Sequence, residues 1–356
     1  MSELSTPAFG RGTRAALIAV PVLLYVAFRN VDVHQVGRLV RDVGPGAAAL
    51  LLLPSLGAAL VETLAFRGTF RLLGMEPGFG LLLRVRVATE ALGALLPLGT
   101  VWAEAVRPAL IAHHDGAPVS AGLAAGAARK YVLGLSQAIY LMLGFVLGRR
   151  ALEAGFVRLG GSPRLALAAL AMGGAILGAA ELGAHTLRGG RTLARISAAL
   201  RRIPSARIRR VLDDVGTSTG AADGALRALF TSHGLRALAA PCLAAWLLEA
   251  LETWAILRVL SVPIGPGDAL GIETLVVLAR QLLIFLPGGL GALELGYAAF
   301  LVGPGLASVS ACAAFVLLKR LRELLWLAAG GAALVHTRAR PSVPSARADL
   351  APSVPS

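Results

Sequence analysis

Apolar residues follow one another along this chain in long runs, without the spaced stripe that marks a half-buried soluble helix. Several runs approach the roughly 20 residues that carry a helix across a bilayer. The pattern predicts helices at about 14–28, 46–66, 79–96, 131–148, 164–186, 236–260, 268–286 and 321–336. The first contains Pro21 and no clean small-residue cleavage site follows it, so it reads as a retained helix. Two further stretches, 97–130 and 287–320, are as apolar but interrupted by Gly and Pro, and each reads as a pair of half-helices. The expected fold is an all-α polytopic membrane protein with about eight full transmembrane helices and two broken, re-entrant segments.

Composition agrees with that pattern. Of 356 residues, 56% are hydrophobic and 15% charged, with mean hydropathy +0.73, which excludes a soluble domain of this size. The net charge of +14 comes from Arg clusters set between apolar runs. Such clusters follow the positive-inside rule and attract anionic headgroups; no aromatic-interleaved basic face points to nucleic acid. The segment 187–232 is rich in Arg and lacks a spanning run, which predicts a cytoplasmic loop with an amphipathic helix on the membrane surface. From 338 to 356 the chain is Pro- and Ser-rich and reads as a disordered tail. Cys242 and Cys312 sit in apolar runs and read as small buried side chains.

An internal repeat emerges when the chain is shifted against itself by 190 residues. Glu62-Thr63 then falls on Glu252-Thr253, Pro97 on Pro287, Gly99 on Gly289, Glu104 on Glu294, and Arg129-Lys130 on Lys319-Arg320. The only two lysines of the chain lie in that matched basic pair. The repeats run from about 45 to 148 and from 235 to 338. If each broken segment counts as one crossing, six crossings precede the basic loop and four follow it, so the second repeat enters from the opposite side. That arrangement is an inverted repeat, with the N-terminus, loop and C-terminus in the cytoplasm.

The broken segments carry the candidate chemistry. Pro287, with Gly288, Gly289 and Gly291 beside it, leaves backbone groups unpaired at membrane depth, which is tolerated only where the backbone is buried in protein or lines a water-filled cavity; the expectation is a cavity. Glu294 follows seven residues after Pro287, as Glu104 does after Pro97, and a carboxylate there needs water or a partner. Arg107, on the same helical face as Glu104, can serve as that partner locally or help to form a polar cavity. Arg129, Lys130, Lys319 and Arg320 can snorkel to the interface or contact lipid phosphate. Glu62, Glu249 and Glu252 lie within apolar helices, with Arg67, Arg258 and Arg280 as candidate partners. His113-His114-Asp115 has no companion ligands, so neither a metal nor a cofactor is expected. Nucleotide-binding and hydrolase motifs do not occur.

The stretches LLPLGTVWAEAVR and FLPGGLGALE, each with its basic pair downstream, resemble the lysylphosphatidylglycerol synthase transmembrane family, the flippase-like domain. The first motif matches at Pro97, Glu104 and Arg107, with Ala103 where the family usually has Gly; the second matches at Pro287, Gly288, Gly289, Gly291 and Glu294. The resemblance covers about 14–337 and implies a domain that moves lipid between leaflets, as is held for the multiple peptide resistance factor proteins. It carries no aminoacyltransferase with it, so the stand-alone form is the one resembled.

The expectation is a lipid translocase in a bacterial plasma membrane, acting on an anionic phospholipid or an isoprenoid- or hopanoid-type lipid. Lipid-synthesis enzymes are candidate partners. Two alternatives stay open at this point: a membrane-embedded transferase on a lipid-linked donor, and a scaffold for lipid-synthesis enzymes.

Overall fold

A computed structural model describes residues 32–95, 99–115, 118–158, 160–192, 194–195, 219–282, 292–303 and 305–339. The expected helix at 14–28, most of the basic loop and nearly all of the tail lie outside the described residues, as do Pro97, Pro287, Gly288, Gly289 and Gly291. Among the described residues the fold is helical throughout. The helices are α1 (Val33–Leu50), α2 (Leu53–Arg71), α3 (Phe79–Leu95), α4 (Gly99–Asp115), α5 (Val119–Arg158) and α6 (Leu167–Arg188). They continue as α7 (Thr219–Thr231), α8 (Ala239–Val259), α9 (Pro266–Leu282), α10 (Ala292–Leu301) and α11 (Val309–Ala339).

Among the described residues, three helical stretches are long and apolar enough to cross a membrane by length and composition: Val119–Arg158, Pro163–Arg188 and Arg236–Val259. Large apolar side chains such as Leu64, Val146, Leu182, Leu324 and Val335 are exposed on the outer surface, where a soluble protein would carry charge. The interior is closed by Tyr140, Leu141, Leu152, Ile256, Leu257, Phe300 and Phe315. Lipid on the outside and packed side chains within are what this division requires.

Helix boundaries differ from the sequence reading at four places. Residues 33–50 form a helix of their own, capped by the Asp32 carboxylate, which accepts from the backbone N–H of His34 and Gln35 at 2.9 and 3.1 Å. Gly44, at φ 68°, breaks its helical backbone just before Pro45. The stretch 97–130 is not two half-helices: α4 ends at Asp115, and α5 runs unbroken from Val119 through the expected gap for 40 residues. That is about 60 Å of helix, twice the hydrocarbon thickness. Gly122 does not interrupt it; a Cβ there would lie 3.1 Å from the Cβ of Pro108, so this glycine lets α4 approach. Likewise α11 begins at Val309, and Lys319-Arg320 lie in its middle instead of ahead of it. The charge that suggested a boundary is neutralised from other helices. Lastly, α7 from the basic loop turns Ala222, Leu226, Leu229 and Phe230 onto α5 and α6. Its apolar face is covered by protein.

Close helix approaches organise the core. Helices α2 and α8 run antiparallel, with Gly57 against Leu248 and Gly68 against Leu238. α5 crosses α9 through Gly148 and Gly271, and α3 meets α11 where Gly330 lies on Val87 and Ala91. In a bilayer such small-residue contacts take over part of the role of hydrophobic burial, since lipid is as apolar as the core. A Cβ at Gly148 would sit 2.5 Å from the Cα of Gly271, whereas one at Gly126 would meet open space. Gly148→Ala is therefore expected to destabilise the protein by about 1–3 kcal/mol, and Gly126→Ala to cause no loss. Thermal unfolding of the detergent-solubilised variants measures both.

Candidate functional site

Charged side chains on otherwise apolar helices must find partners, and here they do so in two clusters. The first is built on α2 to α5. Glu62 of α2 accepts from Arg86 of α3 at 3.1 Å and pairs with Arg129 of α5 at 3.5 Å. Arg86 also reaches Glu90, one helical turn on, at 2.9 Å. On α4, one oxygen of Glu104 gathers three cations: Arg107 at 2.6 Å, Lys130 at 3.0 Å and Arg129 at 3.2 Å. Arg107 donates in addition to the Thr89 hydroxyl at 3.0 Å. The Phe66 ring lies under both Arg107 and Arg129, its centroid 5.9 and 5.8 Å from the two guanidinium carbons. The cluster thus holds four cations and three carboxylates.

The second cluster is built on α8 to α11. Glu273 of α9 is buried and takes Lys319 of α11 at 3.1 Å, the Tyr297 hydroxyl at 3.2 Å and a short bond from the Thr253 hydroxyl. Glu294 of α10 accepts from Arg320 Nε at 2.8 Å, and Arg320 also pairs with Glu323. Glu252 of α8 is 1% exposed and accepts from Arg322 at 2.5 Å. Arg322 lies 4.0 Å from Glu323, which connects these pairs along α11. Through these pairs the cluster holds three cations and four carboxylates.

Between Glu294, Tyr297, Lys319, Arg320, Arg322 and Glu323, with Arg280 at the rim, lies a narrow cleft. Its free volume is about 10 Å³, room for little more than a water, because the charged groups fill it by pairing with one another. The Nε of Arg322, of Arg107 and of Arg86, and Nη1 of Arg86, are buried without a hydrogen-bond acceptor among the described residues. Buried guanidinium donors without acceptors are costly, and an anion supplies what they lack.

Glu249 of α8 lies where the clusters approach each other. It has no hydrogen bond or ion pair among the described residues, yet it is in the field of Arg280, Arg322, Glu273 and Lys319 on one side and of Arg86 on the other.

The arrangement gathers most of the residues that the sequence singled out. Glu62, Glu104, Arg107, Arg129 and Lys130 meet in the first cluster; Glu252, Glu294, Lys319 and Arg320 meet in the second. For Glu62 and Glu252 the partners differ from those expected, while Glu249 has the expected Arg280 in its field. Arg86 and Arg129 hold Glu62, Arg322 holds Glu252, and Arg280 acts on Glu249 through space. Snorkelling describes Lys130, which is 44% exposed, but not Arg129 or Lys319, which are buried and paired. Sequence reasoning missed Arg86, Thr89, Glu90, Thr253, Glu273 and Tyr297. A signal existed for two of them: Glu273 is a lone carboxylate in an apolar helix, and Glu90 follows Arg86 at i+4. The polar partners Thr89, Thr253 and Tyr297 gave none.

With this geometry in hand, comparison with known proteins finds one family. The model described as lysylphosphatidylglycerol synthase TM region matches residues 14–331. No curated protein and no solved structure matches.

Removing one member of a buried pair leaves the other charge uncompensated. Arg322→Met strands Glu252 and is expected to cost about 3–5 kcal/mol. The double variant Arg322→Met, Glu252→Met is expected to recover most of that loss. Thermal unfolding of the two variants beside wild type measures the coupling, and equal loss in single and double variants would contradict it.

Proposed function

The chain belongs to the lysylphosphatidylglycerol synthase TM family, and from that membership and its two charge clusters we propose that it is a lipid translocase of the bacterial plasma membrane. The polar headgroup passes along the clusters while the hydrocarbon tails stay in lipid. The observation that carries this reading is the cleft at Glu294. Four cations, Arg280, Lys319, Arg320 and Arg322, face two carboxylates across a gap closed by its own ion pairs. A headgroup phosphate can take the place of a carboxylate on Arg320 or Arg322, since both offer a pair of anionic oxygens to the same guanidinium fork. Glu104, bound to three cations, offers the corresponding exchange in the first cluster.

An inverted repeat gives the headgroup access from both sides, and several features support it. Val119 and Val309, which open α5 and α11, are 190 residues apart, the spacing of the matched motifs. Under that shift α2 corresponds to α8 and α3 to α9. The contacts are reciprocal: α3 packs on α11, and its counterpart α9 packs on α5, the counterpart of α11. The corresponding helices α2 and α8 run antiparallel, as a two-fold axis in the membrane plane requires. Lys130 on Glu104 and Arg320 on Glu294 are the same pair seen once in each repeat. In this reading the termini and the basic loop face the cytoplasm, where the loop meets anionic lipid and lipid-synthesis enzymes deliver substrate.

Dithionite quenching of fluorescent lipids in proteoliposomes tests the proposal, with phosphatidylglycerol, aminoacylated and isoprenoid lipids. Wild type is expected to abolish inner-leaflet protection for at least one of them. Glu294→Gln is expected to slow that movement about tenfold or more, some 1.4 kcal/mol of barrier. Full protection with every lipid, in protein that remains folded, would overturn the reading.

A further inference from the structure

The end of the bundle where α5 stops and α11 starts holds a further cavity, which shares no lining residue with the cleft at Glu294. Ala298, Ala299 and Val302 bound it on the side of α10, and Val309 and Cys312 on the side of α11. Its volume is about 210 Å³, and it opens on the surface of the protein. Water gains little in such a space: cavities of roughly 150 Å³ lined by apolar side chains stay dry and take up apolar ligands instead.

Among the described residues that line it, Arg158, the last of α5, carries the only charge. Its methylenes lie across Gly303, where a Cβ would stand 3.1 Å from the Cγ and 3.2 Å from the Cδ of Arg158. Glycine at 303 thus lets the arginine stem form part of the wall. The side chain is otherwise exposed, and its guanidinium makes no ion pair or hydrogen bond among the described residues. No Asp or Glu occurs between Glu153 and Glu181 or between Glu294 and Glu323, so the segments that build the cavity bring no carboxylate to it. Glu153 itself is paired with Arg149 at 2.6 Å. A cation at the mouth of an apolar hole is matched by an anion that carries a hydrocarbon chain.

In the first repeat the same place is filled. Under the shift of 190 residues Ala298 falls on Pro108 and Cys312 on Gly122. There α4 closes on α5, with Pro108 so near that a Cβ on Gly122 would lie 3.1 Å from its Cβ. Alanine in place of that proline leaves the space open in the second repeat, although an empty cavity of this kind is costly.

We propose that the cavity binds one acyl chain of an anionic membrane phospholipid, whose phosphate rests on Arg158. The chain enters from the surrounding hydrocarbon and lies between α10 and α11, and the guanidinium fork takes two phosphate oxygens. α6, itself long and apolar enough to span, leads from this end towards the basic loop, so the site belongs to the leaflet opposite that loop. Binding here does not depend on lipid crossing the bilayer.

Photo-crosslinking of the detergent-solubilised protein tests the site, using phosphatidylglycerol with a diazirine in one acyl chain and mapping the labelled residues by mass spectrometry. Label is expected on Ala298, Val302 or Cys312, of which Cys312 is 1% exposed and out of reach of lipid on the outer surface. Unlabelled phosphatidylglycerol is expected to compete about fivefold better than phosphatidylcholine, the effect of one arginine on one net negative charge. Arg158→Gln is expected to abolish that preference and Arg158→Lys to keep it. Glycerol phosphate, which has no chain, is expected not to compete. Ala298→Leu, which fills the cavity as Pro108 fills its counterpart, is expected to lose the label without lowering the melting temperature. Label confined to outward-facing residues such as Leu317 and Leu321, equal competition by the two lipids in wild type, or competition by glycerol phosphate would overturn the inference.

Discussion

Charge placed in hydrocarbon must be neutralised where it lies, and the architecture of this protein follows from that constraint. Each cation of the two clusters is met by a carboxylate from another helix or from the next turn of its own. Arg86 is held by Glu62 and Glu90, Lys319 by Glu273 and Arg322 by Glu252. These pairs are weak evidence for stability in themselves, since desolvation offsets much of their attraction. Their effect is to fix which helices are neighbours. A shift of α11 by one residue would carry Lys319, Arg320 and Arg322 away from three carboxylates on three different helices.

Packing supplies the attraction that the ion pairs do not. Gly148 on Gly271 and Gly330 on Val87 let backbones approach to distances that no larger residue permits. α3 with α11 and α9 with α5 form matching crossings on the two sides of the antiparallel pair α2 and α8. The charged residues lie inside this frame. The proposed translocase would need a rigid frame and a polar interior that can exchange partners, and carboxylates that occupy the cation forks would give it a resting state without substrate.

Much of this was legible in the sequence, for identifiable reasons. The apolar runs reveal a helical membrane protein because bilayer thickness fixes their length. The 190-residue shift is visible because Glu, Pro and Lys are rare enough in an apolar chain for their coincidence to count. Boundaries were less legible. Arg129-Lys130 and Lys319-Arg320 resemble the ends of spans, yet both lie within long helices. The sequence cannot say that Glu104 and Glu273 on other helices neutralise them. Partners were hidden for the same reason: Glu62 and Arg86 are neighbours only through the packing of α2 on α3, and Arg322 meets Glu252 across 70 positions. Glu273 could have been found by the reasoning that found Glu252.

Val316 lines the cleft beside Glu294 and carries no charge, so a probe can be placed there without disturbing an ion pair. The most direct test of a polar passage open to both leaflets is labelling of Val316→Cys, in a Cys242→Ala, Cys312→Ala background, by a membrane-impermeant thiol reagent. Right-side-out and inside-out vesicles are compared. The exchange of ion pairs that would admit a headgroup would also admit the reagent, so labelling is expected from both sides, slowed in each case by a lipid that the protein moves. Labelling from one side alone, or from neither in protein that binds lipid, would contradict it.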